Sequence, residues 1–327
     1  MSSPSVRTRS ARKIFLLQQA ELCYNVFTSA QIMRCGVKRV AIIGLGLIGG
    51  SMGLALKRAK ADLEVVGFAR RPEVAAKAVD IEAVNRTERD PLSAVKGADL
   101  VLIATPAMAM KEILAEIRES LVEGCIVTDT ASTKAQVMRW AEESLPSSVS
   151  FIGGHPMAGK ETSGIEAAEG ELFVGCTYCL IPGRGATTEA IDMMAGLVRQ
   201  IGAKPQFIDA TEHDSLAAGI SHLPILISAA LVLMTTKSPS WPKMSKLAAT
   251  GFRDLSRLAS GNPRMSRDIC LGNREPILRW LDDYIEELGQ LRRLVSQGGE
   301  ELEEAFIRAR DEREGWLRIE EGVHYGA

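Results

Sequence analysis

A chain of 327 residues, 46% hydrophobic and 24% charged, has a globular balance and enough length for about two domains. Its formal net charge of −2 excludes the basic field of a nucleic-acid binder. No run approaches the ~20 apolar residues of a membrane span; the richest, Ile220 to Met234, is interrupted by Ser221, His222, Pro224 and Ser228 and is expected to be a buried helix.

Taken in chain order, residues 1–36 stand apart. The first 20 contain Arg7, Arg9, Arg12 and Lys13, several serines and no acid, which fits an organelle transit peptide, a flexible extension, or an over-long start ahead of Met33. The flexible extension, and with it a cytoplasmic location, is the expectation adopted. From Val37 short β-rich runs alternate with helical ones. Strand 40–43 precedes a helix from Ile48 to Ala59. Strand 63–68 precedes a helix opened by Pro72, a good first-turn residue. Strand 99–104 precedes Pro106 and a further helix, and strand 125–129 a helix through Trp140. Strands 149–153 and 177–182 follow, then a helix from Thr187 to Ile201 and strand 205–209. Continuous apolar strands alternating with helices predict an α/β domain, a Rossmann-type doubly wound parallel sheet covered on both faces. After Asp209 the strand signal stops. Helices are expected at about 211–235, 242–259, 264–272, 276–295 and 299–317, an all-α C-terminal domain. The domains expected are a flexible 1–36, a dinucleotide-binding 37–210 and a helical substrate-binding and dimerisation domain 211–320.

The six cysteines are scattered at 23, 35, 125, 176, 179 and 270. Cys176 and Cys179 form a C-x-x-C in an apparent strand, where an offset of three points the side chains to opposite faces, and no second pair completes a zinc site. Free thiols in a reducing compartment are expected, with no metal.

Gly44, Gly46 and Gly49 form G-x-G-x-x-G directly after a strand and at the start of a helix, the context that gives the pattern meaning. The first glycine permits the turn, the second lets backbone approach a pyrophosphate, and the third lets helix and strand pack. The amides of Leu47, Ile48 and Gly49 would face the phosphates, with Thr105 beyond the strand 99–104. Dinucleotide enzymes selective for NAD carry an acid near the end of the second strand; here the strand ends in Arg70 and Arg71, which suit a 2′-phosphate. NADP is the expected cofactor, with NAD as the alternative.

Polar blocks cluster where strands end: D-T-A-S-T-K (129–134) and G-G-H-P-M-A-G-K-E-T-S-G (153–164). A third block, G-F-R-D-L-S-R-L-A-S-G-N-P-R-M-S-R-D-I (251–269), lies in the helical half, as does E-H-D-S-L-A-A-G-I-S-H-L-P (212–224). Ligands in such sheets bind beyond the strands' carboxyl ends, so topology brings Ser132 and His155 toward the cofactor.

Together G-L-G-L-I-G-G-S, H-P-M-A-G-K-E-x-S-G, H-D-x-x-x-A-x-x-S-H-L-P and G-F-R-D-x-x-R-x-A resemble the prephenate/arogenate dehydrogenase family of tyrosine biosynthesis, over about Val37 to Val295. The resemblance implies oxidative decarboxylation of a cyclohexadienyl acid. It implies His155 on the substrate hydroxyl, Ser132 supporting that histidine or the substrate, and Arg257 on the ring carboxylate. His222 would line the cleft, Glu161 and Lys160 its mouth, and Arg253 and Asp254 the helical wall, with Asp254 orienting an arginine. Two departures stand out: Ser266 in Met265–Ile269, where members often carry Trp, and Ala131, where they often carry Gly. His213 with Asp214 reads as a helix N-terminal pair and stays outside the catalytic set. The apolar stripe Leu281, Ile285, Leu288, Leu291 and Leu294 predicts a homodimer. Another NAD(P)-dependent hydroxy-acid dehydrogenase, or a dinucleotide-binding protein without turnover, are the alternatives.

Overall fold

The structure is a computed structural model that describes residues 37–59 and 63–320; the N-terminal extension, with Cys23, Cys35 and Met33, lies outside the described residues. Eight strands form one sheet in the order β3-β2-β1-β4-β5-β6-β7-β8. They are β1 (Arg39–Ile43), β2 (Glu64–Phe68), β3 (Arg86–Thr87), β4 (Leu100–Ile103), β5 (Ile126–Asp129), β6 (Ser150–Pro156), β7 (Thr177–Pro182) and β8 (Lys204–Phe207). Helices α1 (Leu47–Arg58), α2 (Pro72–Asp80), α3 (Pro91–Val95), α4 (Met110–Ile117), α5 (Ala135–Ser144) and α6 (Thr188–Gln200) connect them.

The apolar strands are buried on both faces. Val40, Ile42, Leu100 and Leu102 join one core cluster while Ala41, Ile43, Val101 and Ile103 join the other. A period of two thus divides each continuous apolar run between two helical layers. Strands β1 to β6 pair in parallel, but β7 pairs antiparallel with β6. This departs from the all-parallel expectation. Between β6 and β7 the chain forms a short 3-10 turn, Ile165–Ala167, and no crossover helix. A strand that returns beside its predecessor without crossing the sheet runs antiparallel. The pattern also passes over β3 and α3, which are too short for a period to show; α3 is set by Pro91 in its first turn and by Asp90, which accepts from Ser93 N at 2.8 Å.

In the helical half, α7 (Ala210–Ala217), a π-helical turn (Ala218–His222) and α8 (Leu223–Thr236) form one continuous run. Pro224 offers no N–H to the preceding turn, and the π turn just before it takes up the mismatch. The run of 27 residues, which contains an 18-residue window of mean hydropathy 2.1, is long and apolar enough to cross a membrane by length and composition. It is not the buried helix expected: Ile220, Leu233 and Met234 are exposed, and in α8 only Leu223 and Ser228 are buried. Besides Ala217, Ala218 and Leu223 it buries four polar residues, His213, Asp214, His222 and Ser228.

The helix expected over 242–259 is divided into α9 (Trp241–Leu247), α10 (Thr250–Ser256) and a 3-10 turn, Arg257–Ser260. Ala248 and Ala249 take extended backbone there, with no proline or glycine at either position to announce the break. Helix α11 (Pro263–Gly272) follows. The compact unit containing the sheet runs through Arg274, and Glu275–Ala327 form a second unit. Its helices are α12 (Arg274–Gln297) and α13 (Glu300–Glu320). On α12, Ile285, Leu288 and Val295 are exposed in the single chain.

Candidate active site

The register of β1, β2, β4 and β5 aligns Ile43 with Phe68 and Ile103, and Ile103 with Asp129. Their following residues therefore emerge along one edge: Gly44, Arg70, Thr105 and Ser132. Gly44 has φ +101°, and a Cβ there would lie 2.6 Å from the Ala104 carbonyl oxygen. A Cβ on Gly49 would lie 1.9 Å from the Gly44 oxygen, whereas one on Gly46 would meet nothing within 4 Å. The first and third glycines are thus demanded by the protein's own packing, and the second faces open space. Helix α1 begins there without a side-chain cap, so the amides of Leu47, Ile48 and Gly49 have no carbonyl one turn earlier. Thr105, next to the Ala104 that Gly44 abuts, has its Oγ1 buried without a hydrogen-bond partner among the described residues. Open space, free amides and an orphaned hydroxyl fit a pyrophosphate. Arg70 and Arg71 are both exposed at the end of β2; Arg71 lies 3.9 Å from the Glu73 carboxylate.

His155 is the next-to-last residue of strand β6 and is 7% exposed. Its Nδ1 lies 2.8 Å from Nε2 of His213, whose Nδ1 lies 2.9 Å from Oδ1 of Asp214. Asp214 also accepts from Lys134 N at 2.7 Å and Ala135 N at 2.8 Å, capping α5 from another helix. The pair is therefore not an N-terminal feature of α7. That role falls to Asp209, which accepts from Thr211 N at 2.9 Å. Burial, then His213 and Lys134, hold the His155 imidazole well below the ordinary histidine range, so it is neutral near pH 7.

Lys134, which the sequence reading left out, is fully buried and ion-paired with Asp129. It also donates to the Gly154 carbonyl, while Asp129 accepts from Ala131 N at 2.8 Å and Gly154 N at 3.1 Å. Burial lowers the Lys134 ammonium's affinity for its proton, and Asp129 opposes that shift. The pair ties the 129–134 block to β6 and so fixes the strand that carries His155. Gly154 must be glycine in this arrangement, since a Cβ would lie 2.3 Å from the Asp129 oxygen. Ser132 is half-buried and does not cap α5, whose N-terminal amides go to Asp214.

His222, 1% exposed, lies inside the π turn rather than at a helix start. Asn273 Nδ2 lies 3.1 Å from its Nδ1 and donates to the Asp214 carbonyl at 2.7 Å. Its Nε2 is buried without a hydrogen bond among the described residues, and burial brings its pKa down to about 4. Arg257 pairs with Glu161; both remain open to solvent, at 59% and 39% of side-chain surface. The turn bearing Arg257 is fastened to α8 by Ser228, whose buried Oγ accepts from Ala259 N at 2.9 Å. Arg253 and Asp254 are exposed, and Asp254 pairs with neither arginine among the described residues; the acid paired with Arg257 is Glu161. Lys160 pairs with Glu169. The structure thus gathers His155, His213, Asp214, Lys134, Asp129, His222 and Asn273 into one buried polar network. The signal for Lys134 and Asp129 was the polar block itself, but nothing in it distinguished a buried ion pair from solvated charges.

Residues 52–206 match the family model described as "Prephenate dehydrogenase, nucleotide-binding domain", and residues 209–308 the one described as "Prephenate dehydrogenase, dimerization domain". The chain is 37% identical over 281 residues to a prephenate dehydrogenase of Bacillus subtilis, covering 84% of this chain and 75% of that one. Among solved structures it resembles an arogenate dehydrogenase of Synechocystis, with TM-score 0.73, 32% identity, and 85% and 99% of the two chains covered. It also resembles a prephenate dehydrogenase of A. aeolicus in complex with hydroxyphenyl propionate and NAD+, with TM-score 0.80, 27% identity, and 86% and 98% covered.

Proposed function

The chain belongs to the prephenate dehydrogenase family, and on that premise we propose that His155 is the general base of its reaction. The protein is an NAD(P)-dependent oxidoreductase of tyrosine biosynthesis that oxidatively decarboxylates prephenate or arogenate. Either substrate carries a hydroxyl on one ring carbon and a carboxylate on the opposite one. Bound at the glycine turn, a nicotinamide dinucleotide supplies the hydride acceptor. His155 takes the hydroxyl proton as the carbinol carbon becomes a carbonyl, and Ser132 supports it. Arg257 receives the ring carboxylate, with Glu161 holding the guanidinium ready. His222 lines the cleft, and Arg253 lies further along α10. Loss of carbon dioxide leaves the ring aromatic, which drives the reaction forward.

The observation that carries this reading is His155 itself: a buried imidazole held neutral, at the sheet edge that bears the glycine turn. A base must be unprotonated and close to its proton. The amides of Leu47, Ile48 and Gly49, with Thr105, would hold the pyrophosphate. Arg70 and Arg71 would hold a 2′-phosphate, making NADP the preferred cofactor. A second copy of the chain is the proposed partner: the C-terminal match is to a dimerisation domain, and α8 and α12 leave large apolar side chains exposed. Light scattering should give twice 35.4 kDa at micromolar concentration; a monomer would remove the dimer. The four described thiols are free, in keeping with a cytoplasmic location. The activity is tested by following reduced nicotinamide with each substrate and each cofactor, alongside His155→Asn. Turnover should fall about 10²–10⁴-fold in that variant, and near-normal turnover would remove His155 from the mechanism.

A further inference from the structure

We propose that His213 is a positioning residue which, backed by Asp214, locks the proton of His155 on Nδ1 and so presents the His155 Nε2 lone pair to the substrate hydroxyl. The proposal rests on the reading of His155 as the base.

The argument follows the donors outward from Asp214. A carboxylate has no proton to give, so His213 Nδ1, 2.9 Å from Asp214 Oδ1, is a donor. In a neutral imidazole the other nitrogen is then an acceptor. His213 Nε2 therefore faces His155 Nδ1, at 2.8 Å, with a lone pair. His155 Nδ1 must donate, which leaves Nε2 unprotonated. The reverse tautomer of His155 would set two lone pairs against each other in a buried site and leave the base with its proton already in place. All three groups are at most 7% exposed, so water does not exchange freely into these positions.

Asp214 is itself held by Lys134 N and Ala135 N, and its backbone carbonyl by Asn273. When the substrate O–H bond breaks, its proton goes to His155 Nε2 and its electron pair becomes the new carbonyl bond as hydride leaves for the dinucleotide. The His155 imidazolium keeps its Nδ1–H on His213, and no proton travels further. The other groups facing His155 are Lys134, countered by Asp129, His222 from the π turn, and Cys179, its pairing partner on β7.

Two measurements test this. In protein labelled with ¹⁵N-histidine and free of cofactor, long-range ¹H–¹⁵N correlations at pH 7.5 should show His155 and His213 both protonated on Nδ1 and not on Nε2, assigned by loss of signals in His155→Asn. A His155 proton on Nε2, or a doubly protonated His213, overturns the proposal. In kinetics, His213→Phe keeps a ring but removes the acceptor. Its kcat should fall about 10- to 150-fold, the range of a hydrogen bond to a charged partner, with KM nearly unchanged. His213→Gln, whose amide oxygen can accept the Nδ1–H, should recover much of kcat. Unchanged kcat in both variants, or a loss in His213→Phe that His213→Gln does not relieve at all, rejects the relay. An unmodified protein inactive on both substrates refutes the functional reading alone, since the tautomers are read without turnover. They also decide the matter if His213→Phe does not fold.

Discussion

Replacing Gly46 and Gly49 by alanine, one at a time, separates a glycine kept for a ligand from one kept for the fold. At Gly49 the added methyl would lie 1.9 Å from the Gly44 carbonyl oxygen and 3.2 Å from the Ala104 Cβ. Backbone cannot yield as a side-chain tip can, so α1 must retreat from β1 by more than about 1 Å, with loss of the contacts behind it. Overpacking of this kind costs about 3 kcal/mol, which at about 2–4 °C per kcal/mol lowers Tm by roughly 6–12 °C. At Gly46 the methyl meets nothing within 4 Å, and the backbone at φ −86° and ψ −157° is open to any residue. Only a few tenths of a kcal/mol is at stake at this helix cap, or roughly 1 °C. The dinucleotide should respond differently. The space beside Gly46 is where a pyrophosphate would approach, so Gly46→Ala should raise its Kd about tenfold or more. Scanning fluorimetry without cofactor gives the first comparison, and titration calorimetry with NADP and NAD the second. If Gly46→Ala melts as early as Gly49→Ala, or binds both dinucleotides normally, the assignment of the open face is wrong.

Arg70→Ala with Arg71→Ala should erase a preference for NADP measured as the ratio of kcat/KM for the two cofactors; equal or better efficiency with NAD in the unmodified protein would contradict the reading of that strand end. Arg257→Ala should raise the substrate KM about 30-fold, from the roughly 2 kcal/mol lower bound for losing one partner of a charge pair. Its Tm should hardly change, because the pair with Glu161 is largely exposed. Arg257→Lys should recover only part of the loss, since an ammonium lacks the planar fork; an unchanged KM in Arg257→Ala would mean the carboxylate is held elsewhere. Stability should fall with acid. His155 and His222 are held below their unfolded values, so below pH about 6.5 the unfolded chain binds protons that the folded one refuses. The stabilisation is complete above that pH and is lost toward about 4 for His222, at about 1.4 kcal/mol per unit for each group. A Tm independent of pH from 7 to 5 would show that both imidazoles are freely protonated in the folded protein.

The sequence by itself determined the Rossmann half, the glycine turn and the family. Each rests on local or periodic information: an apolar run long enough for a strand, a glycine spacing set by one strand and the helix after it, and polar blocks read in order. It also singled out His155 and Arg257 as candidates, because both sit in those blocks. Tertiary structure decided the rest. His213 and Asp214 looked like a helix-start pair because their partners, His155 and the α5 amides, lie 58 to 80 residues away in sequence. Lys134 carried no reading of its own, because its partners Asp129 and the Gly154 carbonyl meet it only in the folded chain. The antiparallel turn of β7 was hidden in a connection with no periodic signal. The partner of Arg257 proved to be Glu161, not the neighbouring Asp254. A sequence pattern reports which face of an element is apolar; it does not report which polar group from a distant element will meet a given side chain. Protonation in this site is set by those distant meetings, so the chemistry of His155 became legible only once the chain had folded.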